Sequence, residues 1–332
     1  MLLWVEFILC TTVIVYSGTK LSKYGDVIAE KSGLGRAWTG LVLMASVTSL
    51  PELVTGMSSV TYAGVPDIAV GDVLGSCVFN MLILAILDTL YRPSPISTRA
   101  HQGHVLSAAF GILLLSMVCA SILFREYIYP IGWIGPYSLM FIVIYLAAMR
   151  LVFFYEKRKI AEFLKEKAEE MKYKDVPMKT ALLHYGMNAL IVITAAIFLP
   201  KLGEGISEST GLGQTFVGNI FIAVSTSLPE VVVSISAVRM GAIDLATGNL
   251  FGSNIFNIFI LALDDILFLK GPLLSYASPD HIISALSAIA MTTVAIIGLT
   301  YRAEKKRLFL AWDSVGILLC YILNLMMLYT LR

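Results

Sequence analysis

Ala45-Ser46-Val47-Thr48-Ser49-Leu50-Pro51-Glu52 runs on to Ala69-Val70-Gly71-Asp72-Val73-Leu74-Gly75-Ser76-Cys77-Val78-Phe79-Asn80. The pattern returns as Ala223-Val224-Ser225-Thr226-Ser227-Leu228-Pro229-Glu230 and Ala246-Thr247-Gly248-Asn249-Leu250-Phe251-Gly252-Ser253-Asn254-Ile255-Phe256-Asn257. Each copy sets a carboxylate, a proline, small hydroxyl residues and a closing Asn inside long apolar surroundings. An acidic side chain at the centre of a membrane helix is unfavourable by roughly 3 kcal/mol on insertion scales. Two such residues, Glu52 and Glu230, behind identical Thr-Ser-Leu-Pro, point to function rather than packing.

The surroundings are membrane-like. Of 332 residues, 58% are hydrophobic and 14% charged, against about a quarter charged in a soluble domain. The apolar runs reach about 20 residues, the length that crosses a bilayer as a helix. The pattern predicts an all-α integral membrane protein with ten transmembrane helices. They fall near 1–18, 37–62, 67–90, 103–124, 132–155, 180–200, 214–238, 243–269, 280–300 and 308–331. The first is read as a retained span, because the basic n-region of a signal peptide is missing. The net charge of +1 comes with no soluble basic domain, so nucleic acid is not an expected partner. Cys10, Cys77, Cys119 and Cys320 are scattered and read as buried free thiols.

Glu156 to Lys174 reads EKRKIAEFLKEKAEEMKYK, a solvated tether or short amphipathic helix between the fifth and sixth spans. With the N-terminus outside, 20 of the 24 Lys and Arg fall on the inner side. That is the positive-inside bias. It predicts a multi-pass cell-membrane protein with both termini outside and residues 156–179 cytoplasmic.

Glu52 and Glu230 are 178 residues apart, Asn80 and Asn257 177. Gly33-Leu34-Gly35 matches Gly211-Leu212-Gly213, and Gly64-Val65-Pro66-Asp67 matches Gly241-Ala242-Ile243-Asp244. Five spans, an odd number, separate equivalent points, so the halves insert in opposite orientation. The expected organisation is two inverted five-helix repeats. One covers 1–155 with its motif at 45–80, and the other covers 180–332 with its motif at 223–257. They flank the linker 156–179. Inverted repeats point to a transporter with its site at the midplane.

Proline removes one helix N–H, so Pro51 leaves the Val47 carbonyl without its donor and Pro229 that of Ser225. Neighbouring carbonyls around Ala45–Thr48 and Ala223–Thr226 are expected to turn off axis as cation ligands where they face a cavity. Thr48, Ser49, Thr226 and Ser227 add hydroxyl oxygens. Ser76/Asn80 and Ser253/Asn257, at i and i+4, share a helix face. Gly71/Gly75 and Gly248/Gly252 are small-xxx-small packing pairs. Carboxylates, amides, hydroxyls and carbonyls without Cys or His suit hard cations such as Ca²⁺ and Na⁺. Two carboxylates can be neutralised by one Ca²⁺ or by two monovalent ions or protons. Such a site is costly to leave charged and empty, so one cargo replaces another. A channel needs no inverted, occluding halves. An intramembrane enzyme would need a His/Glu metal motif, or a Ser–Lys or Asp–Asp pair deep in facing spans. The sequence has none of these.

Thr-Ser-Leu-Pro-Glu at 48–52 and 226–230, with Gly-Ser-x-x-x-Asn at 75–80 and 252–257, resembles the α-repeats of the Na⁺/Ca²⁺ exchanger family in the cation/Ca²⁺ exchanger superfamily. The resemblance implies ten helices in inverted repeats, alternating access, and sliding of the first and sixth helices across the core. It implies Na⁺/Ca²⁺ antiport without a cofactor; H⁺/Ca²⁺ exchange is the alternative, favoured by Asn257. By position it assigns ion ligands to Ala45, Thr48, Ser49, Glu52, Ser76 and Asn80, and to Ala223, Thr226, Ser227, Glu230, Ser253 and Asn257. A monomer is the expected functional unit. Against the family pattern, Asn257 stands where Asp is frequent, Asp72 where Asn is usual, and Cys77 where Asn or a small residue is usual. Asp88 and Asp265 replace small residues. Asp88, Asp264 and Asp265 are expected at helix ends, solvated or paired with Arg92 or Lys270, or else serving ion access. His101, His104, His184 and His281 are expected at the interface.

Overall fold

A computed structural model describes residues 2–31, 48–92, 94–163, 176–239, 241–303, 306 and 310–331. Ala45, residues 37–47 of the second expected span and residues 164–175 of the linker lie outside them. Regular structure in the described residues is helical, apart from one bridge between Ile131 and Ile134. In lipid a chain has to satisfy its backbone groups internally, which favours this outcome.

The first half holds α1 (Leu2–Lys31), α2 (Leu50–Ser58), α3 (Pro66–Leu90), α4 (Ile96–Arg99), α5 (His104–Leu123) and α6 (Pro136–Phe163). The second holds α7 (Met178–Thr210), α8 (Gln214–Val217), α9 (Ala223–Thr226), α10 (Leu228–Arg239), α11 (Ile243–Leu267), α12 (Leu273–Tyr276), α13 (His281–Tyr301) and α14 (Trp312–Thr330). Among the described residues, seven helices are long and apolar enough to cross a membrane. They are eight when α8–α9 and α10, bent by 45° at Ser227, count as one span. The apolar part of α6, Pro136–Val152, is shorter. α7 outruns the expected 180–200. Pro200 lies within it without ending it, and Gly211, at φ +71°, closes it.

Burial separates centre from periphery. In α3 and α11, 83% and 78% of the most apolar stretch is buried, against 22% in α1 and α7. The motif residues 69–80 and 246–257 therefore lie on the two innermost helices. Asn80 on α3 donates its amide to Asn254 Oδ1 on α11 at 2.9 Å, while Asn257 reaches back to Cys77 Sγ at 3.8 Å. Later residues of one helix meet earlier residues of the other, so the two helices cross antiparallel. α1 and α7 pack side by side on the outside, through Phe7, Ile14, Ala196, Leu199 and Ile206 among others. The chain reverses before α3 and α11 at Gly64 and Gly241, with φ of +74° and +78°. That left-handed geometry favours glycine.

Paired carboxylates pin the ends of the inner helices, and here the sequence expectations are corrected. Asp88, Asp264 and Asp265 are buried, not solvated. Asp88 accepts the Ile96 and Ala311 amides at 2.9 Å each and pairs with Lys306 at 2.9 Å, not with Arg92. Asp265 accepts from Leu273 N (2.6 Å), Gly135 N (2.8 Å), Ser138 Oγ (2.6 Å) and Tyr137 OH (2.8 Å), not from Lys270. Each carboxylate anchors the amide eight residues on, which opens the next short helix. Both bury fully only because donors meet them, as a buried charge requires.

His104 and His281 are likewise buried rather than interfacial. His281 Nε2 lies 3.0 Å from Asp67, and His104 Nε2 lies 3.1 Å from Asp244. Both pairs tie one half to the other. All four cysteines are free; Cys77 is buried and the others are half-buried.

Candidate cation site

The site grows from two helix breaks. Ser49 and Ser227 leave helical geometry with φ, ψ of −87°, 16° and −88°, 5°. Proline two residues later restricts the chain on its N-terminal side. Each new helix then starts with its glutamate in the first turn, at Glu52 and Glu230. Negative charge is favoured there, because free backbone N–H groups gather at a helix N-terminus.

The breaks face one another across the halves. Ser227 donates to Glu52 Oε1 at 2.8 Å and lies 2.9 Å from Ser76 Oγ. Ser49 donates to Glu230 Oε1 at 3.1 Å and lies 3.3 Å from Ser253 Oγ. Thr226 donates to Asp72 Oδ1 at 2.8 Å, and Thr48 Oγ1 lies 3.5 Å from Asn249 Oδ1. Each carboxylate is thus served by the other half's serine. Thr48, Ser49, Glu52, Ser76, Asn80, Ala223, Thr226, Ser227, Glu230, Ser253 and Asn257 are all buried in this centre.

Among the buried acceptor oxygens of the described residues without a hydrogen-bond partner are Glu52 Oε2, Glu230 Oε2, Asp72 Oδ2, Asn80 Oδ1 and Asn257 Oδ1. A buried acceptor left unpaired carries a desolvation penalty of about 1–3 kcal/mol, more when charged. All are hard oxygens and suit Ca²⁺ or Na⁺. Among the described residues no three His, Cys, Asp or Glu groups converge as a metal cage. The donor set is therefore mixed, with amides and hydroxyls completing what carboxylates begin.

One expectation about carbonyls is corrected. The Ala223 carbonyl accepts Ser227 N–H at 3.0 Å and Thr226 Oγ1 at 3.2 Å, so it stays within the helix. Pro229 withholds its donor from Ser225, not from Ala223. Close packing at Gly71 and Gly75 is as expected. A Cβ on Gly75 would sit 2.3 Å from the Asn219 carbonyl oxygen and 2.7 Å from Ala223 Cβ. Asn254, which bonds Asn80, and the Asp67–His281 and Asp244–His104 pairs escaped the sequence reading. The signal was the same 177-residue spacing, read for the aspartates but not for the histidines.

The sequence profile of the sodium/calcium exchanger protein family matches residues 2–154 and 180–330. The chain belongs to that family. It is 28% identical over 255 residues to the inner membrane protein YrbG of Escherichia coli (strain K12), covering 75% of this chain and 74% of that protein. It is 36% identical over 142 residues to the sodium/calcium exchanger MaX1 of Methanosarcina acetivorans, covering 42% of this chain and 38% of that one. Among solved structures it resembles the sodium-calcium exchanger NCX_Mj, with a TM-score of 0.63 at 20% identity over 100% of this chain and 99% of that one. It also resembles the H⁺/Ca²⁺ exchanger CAX, with a TM-score of 0.71 at 15% identity over 99% and 84%. At such identities the likeness speaks for the fold. The protein is a multi-pass membrane cation exchanger of the calcium-exchanger type, and its fold relatives include exchangers of both couplings.

Proposed function

We propose that this exchanger family member is a secondary antiporter that moves Ca²⁺ outward against an inward flow of Na⁺, by alternating access. The observation that carries the reading is the reciprocal pairing of Ser49 with Glu230 and of Ser227 with Glu52. One shared site is assembled from both halves, so it can close from either side. Glu52 and Glu230 carry the charge. Thr48, Ser49, Ser76, Asn80, Thr226, Ser227, Ser253 and Asn257 supply the neutral oxygens. Ala45 and Ala223 contribute carbonyls, the latter once its bond to Ser227 N–H yields. Binding of either cargo neutralises the pair and permits passage; the doubly ionised empty core resists it. The reading includes ten helices in two inverted repeats (1–155 and 180–332), both termini outside, residues 156–179 cytoplasmic, and a monomer needing no cofactor.

Exchange of H⁺ for Ca²⁺ is the second reading, favoured by Asn257. With an amide there, Glu52 and Glu230 could simply cycle protons. Ca²⁺ flux in proteoliposomes, with Na⁺ and pH gradients imposed separately, decides. Uptake that follows pH and ignores Na⁺ overturns the first reading in favour of the second. Full exchange in both Glu52→Gln and Glu230→Gln sinks the site.

A further inference from the structure

Asp264 is the most anomalous side chain in the core. It is fully buried, and neither carboxylate oxygen has a hydrogen-bond partner. Its neighbour Asp265 has four donors. The ion pairs found among the described residues fall on Asp67, Asp88 and Asp244, not on Asp264. An uncompensated buried charge is unfavourable by several kcal/mol. A position built this way lacks a partner that the chain does not supply.

The surroundings say what that partner is. Asp264 lies against Gly56, one turn beyond Glu52 on α2. A Cβ on Gly56 would stand 2.3 Å from Oδ2 and 2.8 Å from Oδ1. The missing side chain leaves the carboxylate its room. Thr55, next to Gly56, has a buried hydroxyl oxygen without a partner. On the antiparallel pair α3 and α11, where Asn80 meets Asn254 and Cys77 meets Asn257, Asp72 comes to the level of Asp264. Asp72 is itself fully buried and spends one oxygen on Thr226, leaving Oδ2 unpartnered. Thr226 adjoins Ser227, the partner of Glu52, so Asp72 borders the centre. The feature has no counterpart across the pseudo-symmetry. Asn249 stands opposite Asp72, Leu87 opposite Asp264, and Ser234 opposite Gly56.

We propose that Asp72 and Asp264 hold a further cation, monovalent and Na⁺-like, beside the central glutamate pair. The inference rests on the exchange reading for its role and adds one ion to the cargo. The ligands are oxygens, which calls for a hard cation. Three carboxylate oxygens and one hydroxyl are unpartnered here, short of the 6–8 that Ca²⁺ takes. A monovalent ion fits the smaller set. It also offsets charge that a single Ca²⁺ between Glu52 and Glu230 leaves unmatched.

The test is equilibrium binding of radiolabelled Na⁺ to the purified full chain, which counts sites without requiring transport. Asp264→Asn keeps the shape and removes the charge, and is expected to bind one Na⁺ fewer per chain. In flux measurements its Na⁺ dependence becomes less steep while Ca²⁺ still drives exchange. Gly56→Ala keeps every charge but turns the Asp264 carboxylate aside. It is expected to weaken Na⁺ binding about tenfold, the scale of one charged contact. An unchanged Na⁺ count in a folded Asp264→Asn protein overturns the proposal, with Asp264 then a buried neutral acid. If that variant does not fold, unchanged Na⁺ affinity in Gly56→Ala does the same. A wild-type chain that binds Na⁺ but drives no Ca²⁺ flux fails the exchange reading and leaves the ion count standing.

Discussion

Ser227 in the second motif hydrogen-bonds Glu52 in the first at 2.8 Å, and both are fully buried. The bond joins residues 175 apart in sequence. It couples the break in one half to the charge of the other. A hydrogen bond to a charged group contributes about 1.5–3 kcal/mol, or roughly 10–100-fold in an equilibrium constant. Ser227→Ala should weaken Ca²⁺ binding by that range, and Ser49→Ala by less, because its bond to Glu230 is longer at 3.1 Å. Once Glu52 is Gln, adding Ser227→Ala should cost much less than it does alone. Additive losses in a calorimetric double-mutant cycle would mean that the pair does not act as a unit.

Gly75 packs α3 against the segment leading into the second motif. A Cβ there meets backbone, the Asn219 carbonyl oxygen at 2.3 Å, which has no rotamer to give. Overpacking of this kind is unfavourable by about 1–3 kcal/mol. Gly75→Ala should lower the melting temperature in detergent and lose Ca²⁺ binding with it, because Ser76 and Ser227 are 2.9 Å apart just beyond. Wild-type melting and binding would refute the packing role.

How much of this was legible before the fold? The membrane class and the oxygen-rich centre follow from composition and from a motif written twice, because lipid makes polar residues conspicuous. The pairing of Ser49 with Glu230 was not legible. Sequence gives the periodicity of each half, but not the register in which the halves meet. Asp88 and Asp265 were misjudged for a related reason. Nearness to a helix end suggests solvent, whereas Gly135, Ser138 and Ala311 arrive from distant segments to bury them. The turn of Asp72 toward the centre comes from its bond to Thr226, a contact between the halves that sequence spacing does not specify.

Asp265 accepts four hydrogen bonds, two from backbone amides and two from hydroxyls. Asp265→Ala would strand all four donors in the core. Each stranded donor costs about 1–3 kcal/mol. The variant should therefore fail to accumulate as folded protein in fluorescence-detected size exclusion. Asp265→Asn keeps one of the two acceptor oxygens and should melt earlier but still transport Ca²⁺. At the equivalent Asp88, Lys306→Met should be milder than Asp88→Ala, because the Ile96 and Ala311 amides keep their acceptor. An Asp265→Ala protein with wild-type melting would show that these bonds carry no stability.

Gly18 faces Pro229 where α1 crosses the second break. A Cβ on Gly18 would lie 2.7 Å from Pro229 Cγ and 3.2 Å from Cβ. The proline ring cannot swing aside as a flexible chain would, since its φ is fixed. If α1 slides across the core during transport, this contact is on its path. Gly18→Val adds a branched side chain there and should slow Ca²⁺ flux. On the proposed site, whose ligands lie outside α1, equilibrium Ca²⁺ binding should stay near wild type. The split between rate and affinity is the readout. A fall in binding equal to the fall in flux would show that Gly18 only holds the fold together. Unchanged flux would show that α1 does not move past Pro229.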